Sequence, residues 1–257
     1  MTDSLLTCKN LVKSYGGVQA VREVSLSVEA GTIVGLVGPN GAGKTTMVDL
    51  ITGQQQADSG EIQVAGHRLT GPPSRRARSA GFARTFQHPQ LAPELTVREN
   101  LLLGTVSTSM GTLAGVLRRV CAGIFTAGAG VDEDHIRRMA ESLSIEDLSR
   151  KAADLTLGEQ RLVEVARAML RGPQILLLDE PFAGGDSAGI EAMTDALGTV
   201  LDRGCGVLLV DHNIDLVASL AQRIVLMDRG RVVYDGTAKE AMASEEMRDV
   251  YFGEHHE

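Results

Sequence analysis

Cysteine is sparse in this sequence. Cys8, Cys121 and Cys205 are the three cysteines in 257 residues; they lie far apart and form no CxxC pair or zinc-type spacing with histidine. A disulfide framework and a Cys/His metal cluster are therefore not expected, and the chain reads as a reduced, cytosolic protein. Basic charge is also short: 25 Lys and Arg face 33 Asp and Glu, for a net charge of -8. That balance argues against a main surface facing nucleic acid or anionic lipid. The N-terminal MTDSLLTCKN has neither a basic leader nor a long apolar run, so export is not expected. The longest uncharged stretch, NLLLGTVSTSMGTLAGVL at 100–117, is broken by glycines and hydroxyls, so no membrane-spanning helix is expected. The length suffices for a large core without disulfides.

What is present is an alternation of apolar runs. LLTCKN, VREVSLSV and TIVGLVG read as strands, and EIQVAG reads as another after one helix. That helix, KTTMVDLITG at 44–53, puts Met47, Leu50 and Ile51 on one side and stops at Gly53. ILLLD, GVLLVDH and RIVLMD are continuous apolar strands in the second half. Strands of this kind separated by helices predict a largely parallel central sheet. GEQRLVEVARAMLRG predicts a helix with a stripe of Leu162, Val165, Ala166 and Met169, ending at Gly172-Pro173. RLTGPPSRRARSA is turn-rich, GFARTFQ predicts a strand leading to Gln87, and DEDHIRRMAESL predicts a helix. Between them GTLAGVLRRVCAGIFTAGAG has too many glycines for a clear assignment. Residues from roughly 88 to 155 are expected to form a small helical subdomain inserted into an α/β core.

GPNGAGKT fits the eight-residue P-loop pattern at every fixed position, between a predicted strand and a predicted helix. Gly38, Gly41 and Gly43 permit the tight turn that aims backbone N–H groups at phosphate, with Pro39, Asn40 and Ala42 completing the loop. Lys44 would neutralise β/γ-phosphate charge, Thr45 would give its hydroxyl to Mg²⁺, and Thr46 would add a phosphate contact. At the end of ILLLDE, Asp179 is the candidate metal carboxylate and Glu180 the group that polarises the attacking water. His212, closing GVLLVDH, is the candidate γ-phosphate sensor. Gln87 carries an amide able to join the metal and water network.

In this order, GPNGAGKT, FQ, LTLGEQ, ILLLDE, a turn with Asp186 and DH resemble the nucleotide-binding subunit of an ATP-binding cassette transporter. The resemblance implies an α/β fold in which a P-loop nucleotide-hydrolase core carries an N-terminal antiparallel β subdomain and the inserted helical subdomain. It implies one cassette over 1–257 with a C-terminal helical tail from roughly 237 to 257, and an ATPase using ATP and Mg²⁺. It further implies that Tyr15 stacks on adenine. Thr156, Gly158 and Glu159 would close over the nucleotide held by the P-loop of a facing subunit, with Asp186 in the turn that crosses the dimer. The sequence departs from the commonest family pattern at Leu157, where glycine is usual, at Glu159, which takes the amide position, at Gly185, where leucine is usual, and at Asp211, where glutamate is more frequent.

A finer similarity is to the longer ATPase subunit of branched-chain amino acid uptake systems. It rests on RTFQ followed by LAPELTVRENLL, on LTLGEQRLVEVARAM, on HNIDLV after His212 and on the ending DGTAKEAMASEEMRDVYFGE. It implies a second cassette subunit, identical or related, two membrane-spanning permeases, an extracytoplasmic solute-binding protein, and a place on the cytoplasmic face of the membrane. Residues from Gln87 to Glu94, together with the insert, would form the groove that grips a permease helix, with Pro89 and Pro93 setting the backbone; Leu91 and Leu95 would supply apolar contact either to that helix or to the packing of their own subdomain. Exporter and lipid-transporter ATPases share the same nucleotide chemistry and stay open as alternatives. A soluble nucleic-acid or ribosome switch is disfavoured by the absence of a second cassette, coiled coil or basic arm.

Overall fold

The computed structural model describes residues 4–70, 81–85, 89–106 and 133–252. Contacts divide the chain into two compact units, one of Met1–Arg84, Gln174–Pro181 and Val200–Glu257, the other of Thr85–Pro173 and Phe182–Thr199.

The first unit holds two sheets. β1 (Ser4–Tyr15) and β2 (Val18–Glu29) form a long antiparallel hairpin turning at Gly16-Gly17, and β4 (Ser59–Val64) with β5 (His67–Arg68) extends it in the order β2-β1-β4-β5. Both hairpin strands reach beyond the apolar runs that announce them, because pairing continues through polar residues to the Tyr15–Val18 closure. The second sheet has the order β10-β9-β3-β8-β7-β6, from β3 (Ile33–Val37), β6 (Phe82–Arg84), β7 (Ile175–Asp179), β8 (Gly206–Val210), β9 (Arg223–Asp228) and β10 (Arg231–Thr237). Its pairs are parallel except β9–β10. Every residue of β3 and β8 is buried, which is why these strands read as unbroken apolar runs rather than alternating ones.

Helix α1 (Lys44–Thr52) follows β3 and ends at Gly53 in the left-handed conformation, as its sequence predicts. Its Met47, Leu50 and Ile51 join Leu6, Leu11 and Leu26 of the first sheet and Leu36, Leu177 and Val225 of the second in one buried cluster. Burial of each such side chain stabilises by about 1.5–3 kcal/mol. The P-loop helix is thus seated by the core and not by its own short length.

In the second unit, α2 (Val97–Val106), α3 (Glu133–Ser142), α4 (Leu157–Met169) and most of α5 (Ser187–Asp202) are described. A side chain at Gly104 of α2 would collide with the carbonyl of Arg167 on α4, so glycine sets the close approach of these helices. The burial of α4 exceeds its predicted stripe: Arg161, Val163, Glu164 and Ala168 are buried as well. Of the buried charges, Glu164 has its Oε1 accepting the Gln90 amide at 3.0 Å and lying 3.7 Å from Arg167 Nη2. Asn100, fully buried, shapes the preceding loop: its amide donates to the carbonyls of Ala92, Leu95 and Thr96 and its Oδ1 accepts the Ala92 amide.

Among the described residues of GFARTFQ, the predicted strand is present over Phe82–Arg84. Gln87, the glycine-rich run around 111–130, and Cys121 lie outside the described residues.

Candidate functional site

The P-loop leaves β3 and enters α1 through three glycines with positive φ, Gly38 at 151°, Gly41 at 81° and Gly43 at 103°. Two of them are constrained twice. A side chain at Gly38 would strike the Met227 carbonyl of β9, and one at Gly43 the Ala20 carbonyl of β2, so the loop lies flat against both sheets. The first turn of α1 has no acidic residue and no side-chain cap, which leaves its N-terminal amides and positive dipole end available to an anion.

Lys44 folds back across the loop, its Nζ donating to the carbonyls of Gly38 at 2.6 Å and Pro39 at 3.0 Å. Burial pushes its pKa below the ordinary lysine value, and the nearby Glu180 and Asp179 partly oppose that. Thr45 is exposed and Thr46 half-buried on the first turn.

The acids and the histidine come from adjacent strand ends. β7 and β8 pair in parallel with Asp179 opposite Val210, so the residues after each strand emerge side by side. The Glu180 amide donates to the Val210 carbonyl at 2.7 Å, and Glu180 has φ +49°, a left-handed conformation unusual for a non-glycine residue. His212, 66% exposed in its side chain, has Nδ1 3.8 Å from Glu180 Oε1 and 3.5 Å from Asp211 Oδ1. Asp211 is 1% exposed, its Oδ1 accepts the Asn213 amide at 3.0 Å, and its Oδ2 has no hydrogen-bond partner among the described residues. Lys44, the adjacent pair Asp179-Glu180, and His212, drawn from three distant parts of the chain, are therefore gathered at the C-terminal ends of strands in one sheet.

Arg84, which the sequence offers as a support for the following loop and not as a catalytic group, is tied into the site. Its Nη2 lies 2.8 Å from Asp179 Oδ2 and its Nη1 3.1 Å from Asp49 Oδ1 of α1. The sequence signals for it are an arginine at the end of an otherwise apolar strand, FAR, and its place at the head of the RTFQ run.

Within the second unit the signature begins α4 with a reciprocal capping box: Thr156 Oγ1 accepts the Glu159 amide at 3.3 Å, and Glu159 Oε2 accepts the Thr156 amide at 2.7 Å. Glu159 also takes a 2.6 Å contact from Arg150. Burial alone would raise its pKa, but Arg150 and the Thr156 amide outweigh burial and hold the carboxyl below the ordinary glutamate value. Glu159, counted in the sequence among the nucleotide contacts, is thus engaged in building the helix start. Gly158 packs against the Gly189 backbone, and Asp186 Oδ1 accepts the Gly189 amide at 2.8 Å, so the signature and the Asp186 turn adjoin each other. Leu157 is 38% exposed. Tyr15 closes β1 and is 44% exposed, with the Lys13 ammonium 5.4 Å from the centre of its ring.

The family model described as ABC transporter matches residues 21–183, from β2 through the Asp179-Glu180 pair. The chain belongs to the ABC transporter family. It is an ATP-hydrolysing cassette and the ATPase subunit of a transporter. Over 251 residues this ABC cassette is 34% identical to the lipopolysaccharide export system ATP-binding protein LptB of Haemophilus influenzae, covering 98% of each chain. Over 257 residues it is 33% identical to the high-affinity branched-chain amino acid transport ATP-binding protein LivG of Salmonella typhimurium, covering 99% of this chain and 100% of that one. In structure the cassette is similar to the ADP conformation of an ATP-binding cassette of an ABC transporter, with TM-score 0.82, 28% identity, and coverage of 98% of this chain and 99% of that chain.

The donors fit a hard divalent cation. The described residues contain no cluster of three or more His, Cys, Asp or Glu able to cage a metal, whereas a hydroxyl at Thr45 and a carboxylate at Asp179 suit Mg²⁺, which uses one or two protein oxygens, substrate phosphates and water. No helix among the described residues is long and apolar enough to cross a membrane.

Proposed function

We propose that this cassette powers uptake of a small solute, branched-chain or related amino acids, from the cytoplasmic face of the membrane. It would pair with a second cassette subunit beneath two permeases, with an extracytoplasmic solute-binding protein delivering cargo. The observation that carries this reading is the end-to-end similarity to LivG, reinforced by the RTFQ run and the C-terminal tail that resemble the uptake subunit. A second reading, an exporter ATPase, is favoured by the equally complete similarity to LptB.

In the proposed mechanism, the loop from Gly38 to Thr46 cradles the phosphates with its backbone N–H groups, Pro39 having none to give, and Lys44 exchanges its two loop carbonyls for phosphate oxygens. Thr45 and Asp179, with Gln87, would hold Mg²⁺. When bound, the ion neutralises phosphate charge as a Lewis acid. Glu180 polarises the attacking water, and its backbone conformation holds the carboxylate beside His212, which contacts the γ-phosphate. Tyr15 stacks on the base. Thr156 and Gly158 close over the nucleotide of the facing subunit at the start of α4, while Glu159 keeps that helix start rigid and Asp186 shapes the adjoining turn.

The test is affinity purification of the tagged chain from detergent-solubilised native membranes under MgATP trapping, with mass spectrometry of what is retained. Two importer-type permeases and a second cassette would support uptake. Recovery of export permeases alone would replace it with the second reading, and recovery of ribosomal or DNA-bound proteins without any permease would remove transport altogether.

A further inference from the structure

The Arg84 bridge joins two parts of the site that the mechanism needs at a fixed separation. Arg84 pairs with Leu177 in the parallel β6–β7 ladder, and Asp179 lies two residues further along β7, on the same face of the sheet. The guanidinium therefore reaches Asp179 as a diagonal neighbour, at 2.8 Å. Its other arm, at 3.1 Å, holds Asp49. Asp49 is four residues after Thr45 on α1, one turn along the same helix face. The three side chains are largely withdrawn from water, at 10% exposure for Arg84, 14% for Asp179 and 22% for Asp49. A planar fork can span two carboxylates in this way, while a carboxylate accepting on Oδ2 keeps Oδ1 for another ligand.

We propose that Arg84 is a positioning residue for metal-dependent nucleotide binding, fixing the Asp179 carboxylate at the end of β7 relative to the Thr45 hydroxyl through Asp49 on α1. The proposal rests on the reading of Thr45 and Asp179 as metal ligands. The charges balance to suit it: Asp49 offsets Arg84, and one negative charge is left for the cation. Arg84 serves as an outer partner orienting a ligand, a class of residue whose loss costs about 10–100-fold in metal affinity.

The test measures equilibrium ATP binding to the full chain in EDTA and in Mg²⁺; the ratio of the two constants is the metal enhancement. The informative variant is Arg84→Met with Asp49→Asn, which removes one positive and one negative charge and leaves the local net charge as it was. We expect metal-free ATP affinity near wild type and an enhancement reduced by about 10–100-fold. Arg84→Lys, which keeps the charge and loses the fork, should also reduce it, and it serves if the double variant is too unstable by thermal unfolding. An unchanged ratio, a ratio that rises, or an equal loss with and without metal would each overturn the proposal. Asp179→Asn separates the two levels. If it leaves the enhancement intact, the metal-ligand reading falls and takes the proposal with it; if it abolishes the enhancement while the Arg84 variants do not reduce it, only the proposal falls.

Discussion

Glu180 offers a prediction in which backbone strain and chemistry are read separately. Its φ is +49°, and its amide is held on the Val210 carbonyl at 2.7 Å, so sheet register and not local preference keeps it there. A non-glycine residue in that region costs about 1–3 kcal/mol. Glycine removes the strain but brings about 0.5–1 kcal/mol of extra unfolded-chain freedom. Glu180→Gly should therefore be more stable than Glu180→Ala by about 1 kcal/mol, a reversal of the usual order, visible as about 2–4 °C in thermal unfolding of the nucleotide-free protein. Both variants lack the carboxylate, so both should lose ATP turnover to the same degree in single-turnover assays. Glu180→Gln, which keeps the shape, should bind MgATP and hydrolyse it very slowly. If alanine matched glycine in stability, the backbone would carry no strain; if the Gln variant turned over at the wild-type rate, the water-polarising role would be wrong.

Other expectations follow from the same geometry. Stability of the nucleotide-free protein should depend on pH through Lys44 and lose that dependence in Lys44→Met, because burial lowers the lysine's pKa in the fold. The folded state then binds fewer protons than the unfolded one, and wild-type stability rises with pH through the folded value towards about 10.4. The stability difference between the two should move in favour of wild type between pH 7 and pH 10 in urea titrations, and a move the other way would contradict the assignment. Thr156→Ala should cost about 1 kcal/mol by removing the cap of α4, as a lower urea midpoint. The contribution of Glu159, whose folded pKa is depressed, should be present above about pH 4.3 and fade as pH falls through the folded value, so wild type and Glu159→Gln should converge in acid. Gly43→Ala should abolish tight ATP binding in a fluorescent-nucleotide titration, because its side chain meets the Ala20 carbonyl; retained affinity would show that the loop can yield. Thr156→Arg in a mixed dimer should impair the facing site more than its own, and equal hydrolysis at the facing site would count against closure across the dimer.

The nucleotide-binding core was legible because its signals are local. GPNGAGKT needs positive φ at its glycines wherever it folds, and Gly38, Gly41 and Gly43 adopt it. ILLLD and GVLLV read as buried parallel strands because both their faces are covered. Thr156 and Glu159 stand at the three-residue spacing of a capping box, yet the resemblance assigned Glu159 to nucleotide, and its pairing with Arg150 emerges only from the fold.

What the sequence by itself determined is the inventory of chemistry: a phosphate loop, a strand ending in two acids, a histidine after another strand, and a glycine-bearing helix start. Tertiary structure decided which of these meet. The parallel pairing of β7 with β8 puts Glu180 within 3.8 Å of His212, a juxtaposition set by hydrogen bonds between residues some thirty positions apart in the chain. It also decided that the helix of the signature is buried beyond its apolar stripe, around Arg161 and Glu164, and that Arg84 spans Asp49 and Asp179. Those facts have no periodicity to betray them, because the partner of a buried charge is chosen by sheet register and helix placement, and neither is written in the neighbouring residues.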